Sequence, residues 1–277
     1  YKGDGMPPWI MGLGLTLYDL LAFKWSHRYY DSYDMQEFCQ DLKPRNLRGG
    51  YRFFDAQTDD ARLVIRILQE AVAEGGTALN YTRAIRLLRS GNSPKVCGVV
   101  LEDHSTDRTY PQAQNHARTW EVFAPVVINA TGAWADELRP KTTKSKHLRR
   151  LRGSHLIFPR DRIPLSRAIS FWHPHDHRPV FAVPWEGVTL IGTTDVDHNQ
   201  PMDCEPRINE AEIEYLLASV EYIFPDLHCS EEDIQATFAG IRPVVNTGKT
   251  DPSKESREHV LWLEDGLLTC LLYTSPS

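Results

Sequence analysis

The chain has 277 residues, 31 Lys and Arg against 37 Asp and Glu, and a net charge of −6; it is long enough for one large or two ordinary domains and carries no general attraction for nucleic acid or anionic lipid. Its five cysteines, Cys39, Cys97, Cys204, Cys229 and Cys270, are odd in number, widely spaced and without a C-x-x-C pair, which argues against a disulfide framework or a zinc site and for a reducing compartment. No succession of signal-peptide type opens the sequence, whose first residues read as the middle of a longer chain; the apolar stretch 9–23 contains Thr16, Tyr18 and Asp19 and is shorter than the roughly 20 residues of a spanning helix.

Over residues 7–23, Ile10, Met11, Leu13, Leu15, Leu17, Leu20, Leu21 and Phe23 predict a helix with a broad apolar face, expected in the core in preference to a bilayer surface. Gly49 and Gly50 mark a break before the aromatic run 51–54. Asp59 or Asp60 caps the next helix, because a carboxylate there accepts the free amide hydrogens of the first turn. Leu63, Val64, Ile67, Leu68, Ala71 and Val72 then recur at helical spacing until Gly75 and Gly76. Residues 77–88 and 95–102 are β-rich, with 104–118 as a polar loop. Residues 122–130 predict one buried strand that runs into Thr131, Gly132 and Ala133. Lys141, Lys144, Lys146, Arg149, Arg150 and Arg152, with no acid among them, form a solvated connector by default and an anion-steering surface in the functional alternative.

Beyond this run the pattern changes to strands at 154–159, 180–184 and 188–193, which places a domain boundary near Leu151. Asn209 with Glu212 makes a capping-box start for a helix carrying Ile213, Leu216, Leu217, Val220, Ile223 and Phe224 on one face until Pro225. Residues 234–245 and 259–269 return to strand character, with Asp265-Gly266 as a turn signal. His173, His175 and His177 alternate in a stretch that holds Pro174 and ends at Pro179; without further ligands at metal spacing they are read as loop residues and no metal is assigned.

The segments 59–64 (DDARLV), 128–134 (INATGAW), 152–160 (RGSHLIFPR), 184–185 (PW) followed by 191–196 (IGTTDV), and 239–243 (AGIRP) are each weak signals, but their order and spacing are specific. The ordered set resembles the flavin-linked glycerol-3-phosphate dehydrogenases, within the D-amino-acid-oxidase-like flavoproteins, over about residues 7–269. The resemblance implies an α/β (α+β) fold: part of an FAD-binding domain of dinucleotide type, and a substrate domain with a large mixed or antiparallel sheet. Its implied layout is a helical connecting or cap segment at 1–48, FAD-domain residues at 49–150, the substrate domain at 151–238, and strands returning to the FAD domain at 239–269.

The same resemblance assigns Ala130, Thr131 and Gly132 to the flavin, and small residues at a strand end do permit close backbone approach to a cofactor. It assigns Arg242 to the substrate: a guanidinium is permanently charged and offers a planar fork of donors suited to a phosphate or developing alkoxide, and Pro243 fixes the chain behind it. Thr194 and Asp195 fall at the flavin and substrate pocket by resemblance; by themselves they read equally as turn caps. His155 is the candidate base for the substrate hydroxyl proton, since imidazole titrates near neutral pH, against the alternative of a structural histidine.

The activity implied is oxidation of sn-glycerol 3-phosphate to dihydroxyacetone phosphate by hydride transfer to FAD. Electrons pass to a quinone, which implies a cytoplasmic protein in peripheral contact with the inner face of the cytoplasmic membrane; oxygen is the alternative acceptor. The other functional readings are an FAD enzyme of a hydroxy acid or amine, with Arg242 on a carboxylate, and a noncatalytic remnant. The sequence departs from the family in having no G-x-G-x-x-G string, since Gly12-Leu13-Gly14 lacks the third glycine. By the resemblance it also stops where the family would continue into a glycine-lysine-threonine segment that closes over flavin and substrate, and residues 270–277 read as a non-native tail. The expectation is therefore of a fragment lacking both ends, which by itself holds FAD poorly and exposes apolar surface.

Overall fold

In chain order the elements are α1 (Pro8–Leu21), β1 (Arg28–Asp31), α2 (Ser32–Phe38), β2 (Gly49–Arg52), α3 (Asp60–Ala73), β3 (Thr82–Arg89), β4 (Val96–Asp103), β5 (Thr119–Phe123), β6 (Val127–Asn129), α4 (Ala135–Leu138), β7 (Leu148–Pro159), β8 (Ile169–Trp172), β9 (Pro179–Trp185), β10 (Val188–Gly192), β11 (Val196–Asp197), α5 (Glu210–Ile223), β12 (Ala236–Val245), β13 (Val260–Glu264) and β14 (Leu267–Leu271). The computed structural model describes residues 1–4, 6–105, 118–139, 148–252, 255–256 and 259–271. Most of the expected loop 104–118, Lys141, Lys144 and Lys146 of the basic run, and residues 272–277 of the expected tail lie outside the described residues. The chain divides into two compact units, the first made of Tyr1–Ala56, Arg152–Val196 and Asp203–Ile241, the second of Gln57–Leu151, Asp197–Met202 and Arg242–Ser277.

The first unit is built on a sheet in the order β11-β7-β10-β9-β8, with β12 also paired to β7; the pairings from β7 through β10 and β9 to β8 are antiparallel. Alternation along the strands sends Leu156 and Phe158 of β7, Val180 and Ala182 of β9 and Ile191 of β10 into one core. Register places Ile191 opposite both Leu156 and Ala182, so these side chains stack as cross-strand neighbours. Leu216, Val220 and Ile223 of α5, together with Phe224, complete the same cluster. Helix α5 starts where the sequence places it: Asn209 Oδ1 accepts from Glu212 N, and Glu212 returns a carboxylate oxygen to Asn209 N.

Helix α1 corrects an expectation. Its buried residues are Leu15 and Asp19, whereas Trp9, Leu13, Leu17, Leu20 and Leu21 are more than half exposed, so the broad apolar face is not core. The helix is anchored through a polar group instead: the Asp19 carboxylate accepts from the backbone and hydroxyl of Ser26 and from the backbone and Nδ1 of His27. Burial alone would raise this carboxyl, but those hydrogen bonds outweigh it and hold it well below the usual aspartate range.

The second unit carries two three-stranded sheets, β3-β4-β5 and β13-β14-β6. The predicted single strand at 122–130 is two strands: β5 pairs antiparallel with β4 and β6 pairs parallel with β14. The break falls at Pro125, which offers no amide hydrogen to a ladder and restrains the residue before it; β5, moreover, is exposed throughout. Asp265 and Gly266 both have positive φ, 50° and 82°, the conformation a two-residue hairpin turn between β13 and β14 demands. Strand β14 runs on to Cys270 and Leu271, the latter packed with Ala135 and Leu148, so the first two residues of the expected tail belong to a strand. Helix α3, capped by the Asp59 side chain on Arg62 N, leaves Leu63, Val64, Ile67 and Val72 about half exposed.

The described arginines of the basic run are not a solvated connector. All three lie in β7 and are paired: Arg149 with Asp197 and Glu255, Arg150 with Glu137 and Arg152 with Glu212. Chain neighbours supplied no acid, but the fold brought acids from distant segments to each.

Candidate functional site

In the first unit, His155 on β7 faces Gly192 on β10. Its half-buried ring lies parallel to that of Phe238, with centroids 4.4 Å apart and planes 5° apart. A Cβ built on Gly192 would stand 2.7 Å from His155 Nε2 and closer still to Cδ2, so glycine is what lets the imidazole lie across the neighbouring strand. Gly192→Ala is expected to cost about 1–3 kcal/mol by forcing the ring aside. In a His155→Ala background the cost should nearly vanish; equal costs in both backgrounds, read by chemical denaturation, would sink the contact.

Thr194 is 1 % exposed. Its Oγ1 accepts from Ser154 N at 2.9 Å and donates to Glu212 Oε1 at 2.7 Å. The same carboxylate accepts from Ser154 Oγ at 2.8 Å and from Arg152 Nη2 at 2.6 Å. Burial pushes the Glu212 carboxyl up, but the donors Arg152, Thr194, Ser154 and Asn209 N outweigh it, and the group stays ionised below its ordinary range. What Thr194 contributes is thus a fixed strand end, its proton being directed to Glu212. Asp195, 8 % exposed, follows directly, and its carbonyl accepts from Arg178 Nη1 at 3.2 Å.

In the second unit, β6 ends at Asn129, and the chain turns through Ala130, Thr131 and Gly132 into α4. The turn is held by Asn129, 2 % exposed, a residue given no role in the sequence reading. Its Nδ2 donates to Ala135 O at 2.9 Å and its Oδ1 accepts from Thr131 Oγ1 at 2.7 Å. Ala130 and Thr131 are exposed. Gly132 has φ +58°, and among the described residues beyond its chain neighbours nothing lies within 4 Å of where its Cβ would stand. The turn presents backbone and the small side chains of Ala130 and Thr131, so these residues fit a flavin. Arg242 lies in β12, half-buried between Ile241 and Pro243, with Val244 buried just beyond. His155, Thr194 and Asp195 thus belong to the first unit, and Ala130, Thr131, Gly132 and Arg242 to the second.

The histidines at 173–177 lie in the loop between β8 and β9, as expected. His173 is fully buried and stacked on Tyr215, with ring centroids 3.7 Å apart; its Nε2 meets Tyr215 O at 2.9 Å. Burial lowers its pKa, against the opposing pull of the Tyr215 carbonyl and Asp176, so its ring is neutral near pH 7.

Comparison with known proteins identifies the family. Residues 16–267 match the family described as FAD dependent oxidoreductase. The chain is 35 % identical over 275 residues to the aerobic glycerol-3-phosphate dehydrogenase of Bacillus subtilis (strain 168), an alignment covering 97 % of this chain and 47 % of that protein. Identity to the Staphylococcus saprophyticus enzyme of the same name is 33 % over 277 residues, with the same coverage of both. The chain thus spans about half the length of these curated relatives. Among solved structures, the FAD complex of the Bacillus halodurans glycerol-3-phosphate dehydrogenase matches with TM-score 0.72 and 33 % identity, over 87 % of this chain and 44 % of that one. Glycine oxidase of Geobacillus kaustophilus, at TM-score 0.60 and 19 % identity over 89 % of this chain and 57 % of that one, shares the fold. With a match that takes in the β6 turn, the 192–195 strand end and Arg242, the chain belongs to the family of FAD-dependent oxidoreductases.

Proposed function

We propose that the chain is part of a flavoenzyme that oxidises sn-glycerol 3-phosphate at carbon 2 to dihydroxyacetone phosphate. One observation carries this reading: the similarity to aerobic glycerol-3-phosphate dehydrogenases covers 97 % of the chain. FAD, when bound, supplies the acceptor for the hydrogen and electron pair leaving carbon 2. Ala130, Thr131 and Gly132 receive the flavin ring on the turn that Asn129 holds. Arg242 binds the phosphate as a charge-assisted fork. His155, braced against Phe238, takes the hydroxyl proton, so proton and hydride leave the substrate toward different acceptors. Thr194 and Asp195 form the wall beside that base.

A quinone is the electron acceptor in this reading, which requires work at the inner face of the cytoplasmic membrane by peripheral attachment. Among the described residues no helix is long and apolar enough to cross a membrane. The test is a substrate panel on the FAD-loaded enzyme without oxygen. Glycerol 3-phosphate should bleach the flavin absorbance within seconds, whereas glycine, lactate and glycerol should leave it oxidised, and in air little hydrogen peroxide should form. Bleaching by an amine or hydroxy acid in preference would transfer Arg242 to a carboxylate substrate and end the present assignment.

A further inference from the structure

We propose that the first two turns of α5 are the positioning device of this site: through Glu212 and Tyr215 they clamp the strand end at 194–195 from two directions, making Glu212 and Arg178 positioning residues for turnover. The inference rests on the proposed role of His155, Thr194 and Asp195, and concerns residues of the first unit.

After β10 ends at Gly192, the chain passes through residues 193–195 before β11 begins. Two separate holds fix that passage. The first grips a side chain. Thr194 Oγ1 lies between Ser154 N and Glu212 Oε1, and Glu212 is itself locked by Arg152 and Ser154. A capping box needs only an acceptor at this helix position, which glutamine would also provide. The carboxylate is required for a further reason: it neutralises Arg152, 4 % exposed, whose charge would otherwise stand buried without compensation.

The second hold grips the backbone. Arg178 Nη1 donates to Asp195 O, while Arg178 Nε donates to Asp176 Oδ2 at 2.8 Å. Tyr215 OH donates to the same Asp176 carboxylate at 3.1 Å, and the Arg178 guanidinium stands 5.4 Å from the centroid of the Tyr215 ring. Tyr215 comes three residues after Glu212, one helical turn on, so both anchors occupy one face of α5. His173, stacked on Tyr215 and bonded to its carbonyl, folds the 173–178 loop back onto the helix so that Arg178 reaches Asp195. His155, next to Ser154 in β7, is adjacent to the first hold, and the second bears on Asp195 in the wall assigned beside that base.

A displacement of about 1 Å at a reacting group costs on the order of 10²-fold in rate. Glu212→Gln leaves Arg152 uncompensated and risks unfolding, so the decisive variant is Arg178, whose side chain is 27 % exposed. In the FAD-loaded enzyme, Arg178→Ala is expected to lower kcat for glycerol 3-phosphate about 10- to 100-fold with KM within about threefold. Arg178→Lys, which keeps one donor toward Asp195 O, should recover part of the loss. Flavin content, and the rise in unfolding midpoint that saturating glycerol 3-phosphate produces, should match the unaltered enzyme, because binding is assigned to Arg242. A kcat within twofold of the unaltered enzyme overturns the proposal. So does a loss that follows flavin content or unfolding midpoint and is not relieved by lysine, since that is a merely structural effect. Absence of glycerol 3-phosphate turnover in the unaltered enzyme would instead refute the substrate assignment on which the proposal rests.

Discussion

Arg242→Ala in the FAD-loaded enzyme is expected to lower kcat/KM for glycerol 3-phosphate about 10²- to 10³-fold. Truncating one partner of a hydrogen-bonded charge pair costs about 2–5 kcal/mol, and each 1.4 kcal/mol is a factor of about ten, so the middle of that range gives the stated loss. The position suits the task. Arg242 is half-buried in β12, and Pro243 and the buried Val244 hold the strand on its far side, so little side-chain entropy remains to be lost on binding. Arg242→Lys should recover only part of the activity, because a point charge does not reproduce a planar fork. The loss should disappear when the substrate is glycerol, which has no phosphate and should be equally poor with both proteins. Steady-state kinetics with the two substrates is the measurement. A drop below threefold with glycerol 3-phosphate would remove Arg242 from the phosphate site.

Phe158→Ala should be the most damaging single change to the first unit's stability, at about 3–5 kcal/mol. Its side chain is fully buried in the cluster that joins β7, β9 and β10 to α5. It stands opposite Thr189, whose hydroxyl is committed to Ile163 O at 2.8 Å, so that neighbour cannot swing in to fill the space. Natural domains are stable by only about 5–15 kcal/mol, so the loss takes a large share of the margin. Phe158→Leu, which preserves most of the volume, should cost about 1–1.5 kcal/mol. Urea titrations of the three proteins compare the midpoints directly. Equal midpoints for Phe158→Ala and the unaltered protein would show that this cluster does not hold the unit together.

Much of the fold was legible locally. Asn209 and Glu212 announced the start of α5, Asp59 or Asp60 the start of α3, and Asp265-Gly266 the hairpin, because each motif satisfies backbone groups within a few residues of itself. Apolar alternation marked β7, β9 and β10 for the same reason: a strand with one buried face must repeat every second residue. Family resemblance, in turn, rested on the order of short segments along the chain, which survives without any knowledge of contacts.

Tertiary structure decided what depends on partners far away in sequence. Glu212 was legible as a cap but not as the counter-ion of Arg152, which lies 60 residues earlier; no periodicity encodes such a pairing. The same holds for Asn129, whose second Nδ2 contact, to Thr269 Oγ1, spans 140 residues, and for β6, whose parallel partner β14 comes from the end of the chain. Helix α1 and the arginines of β7 show the converse. Apolar spacing and clustered charge state what a segment could do, whereas burial and ion pairing are settled only when other segments arrive. By itself, the sequence determined the locally capped and patterned elements and which family they spell; the assembled chain determined which polar groups are buried together, because desolvation is a property of the whole neighbourhood and not of any one stretch.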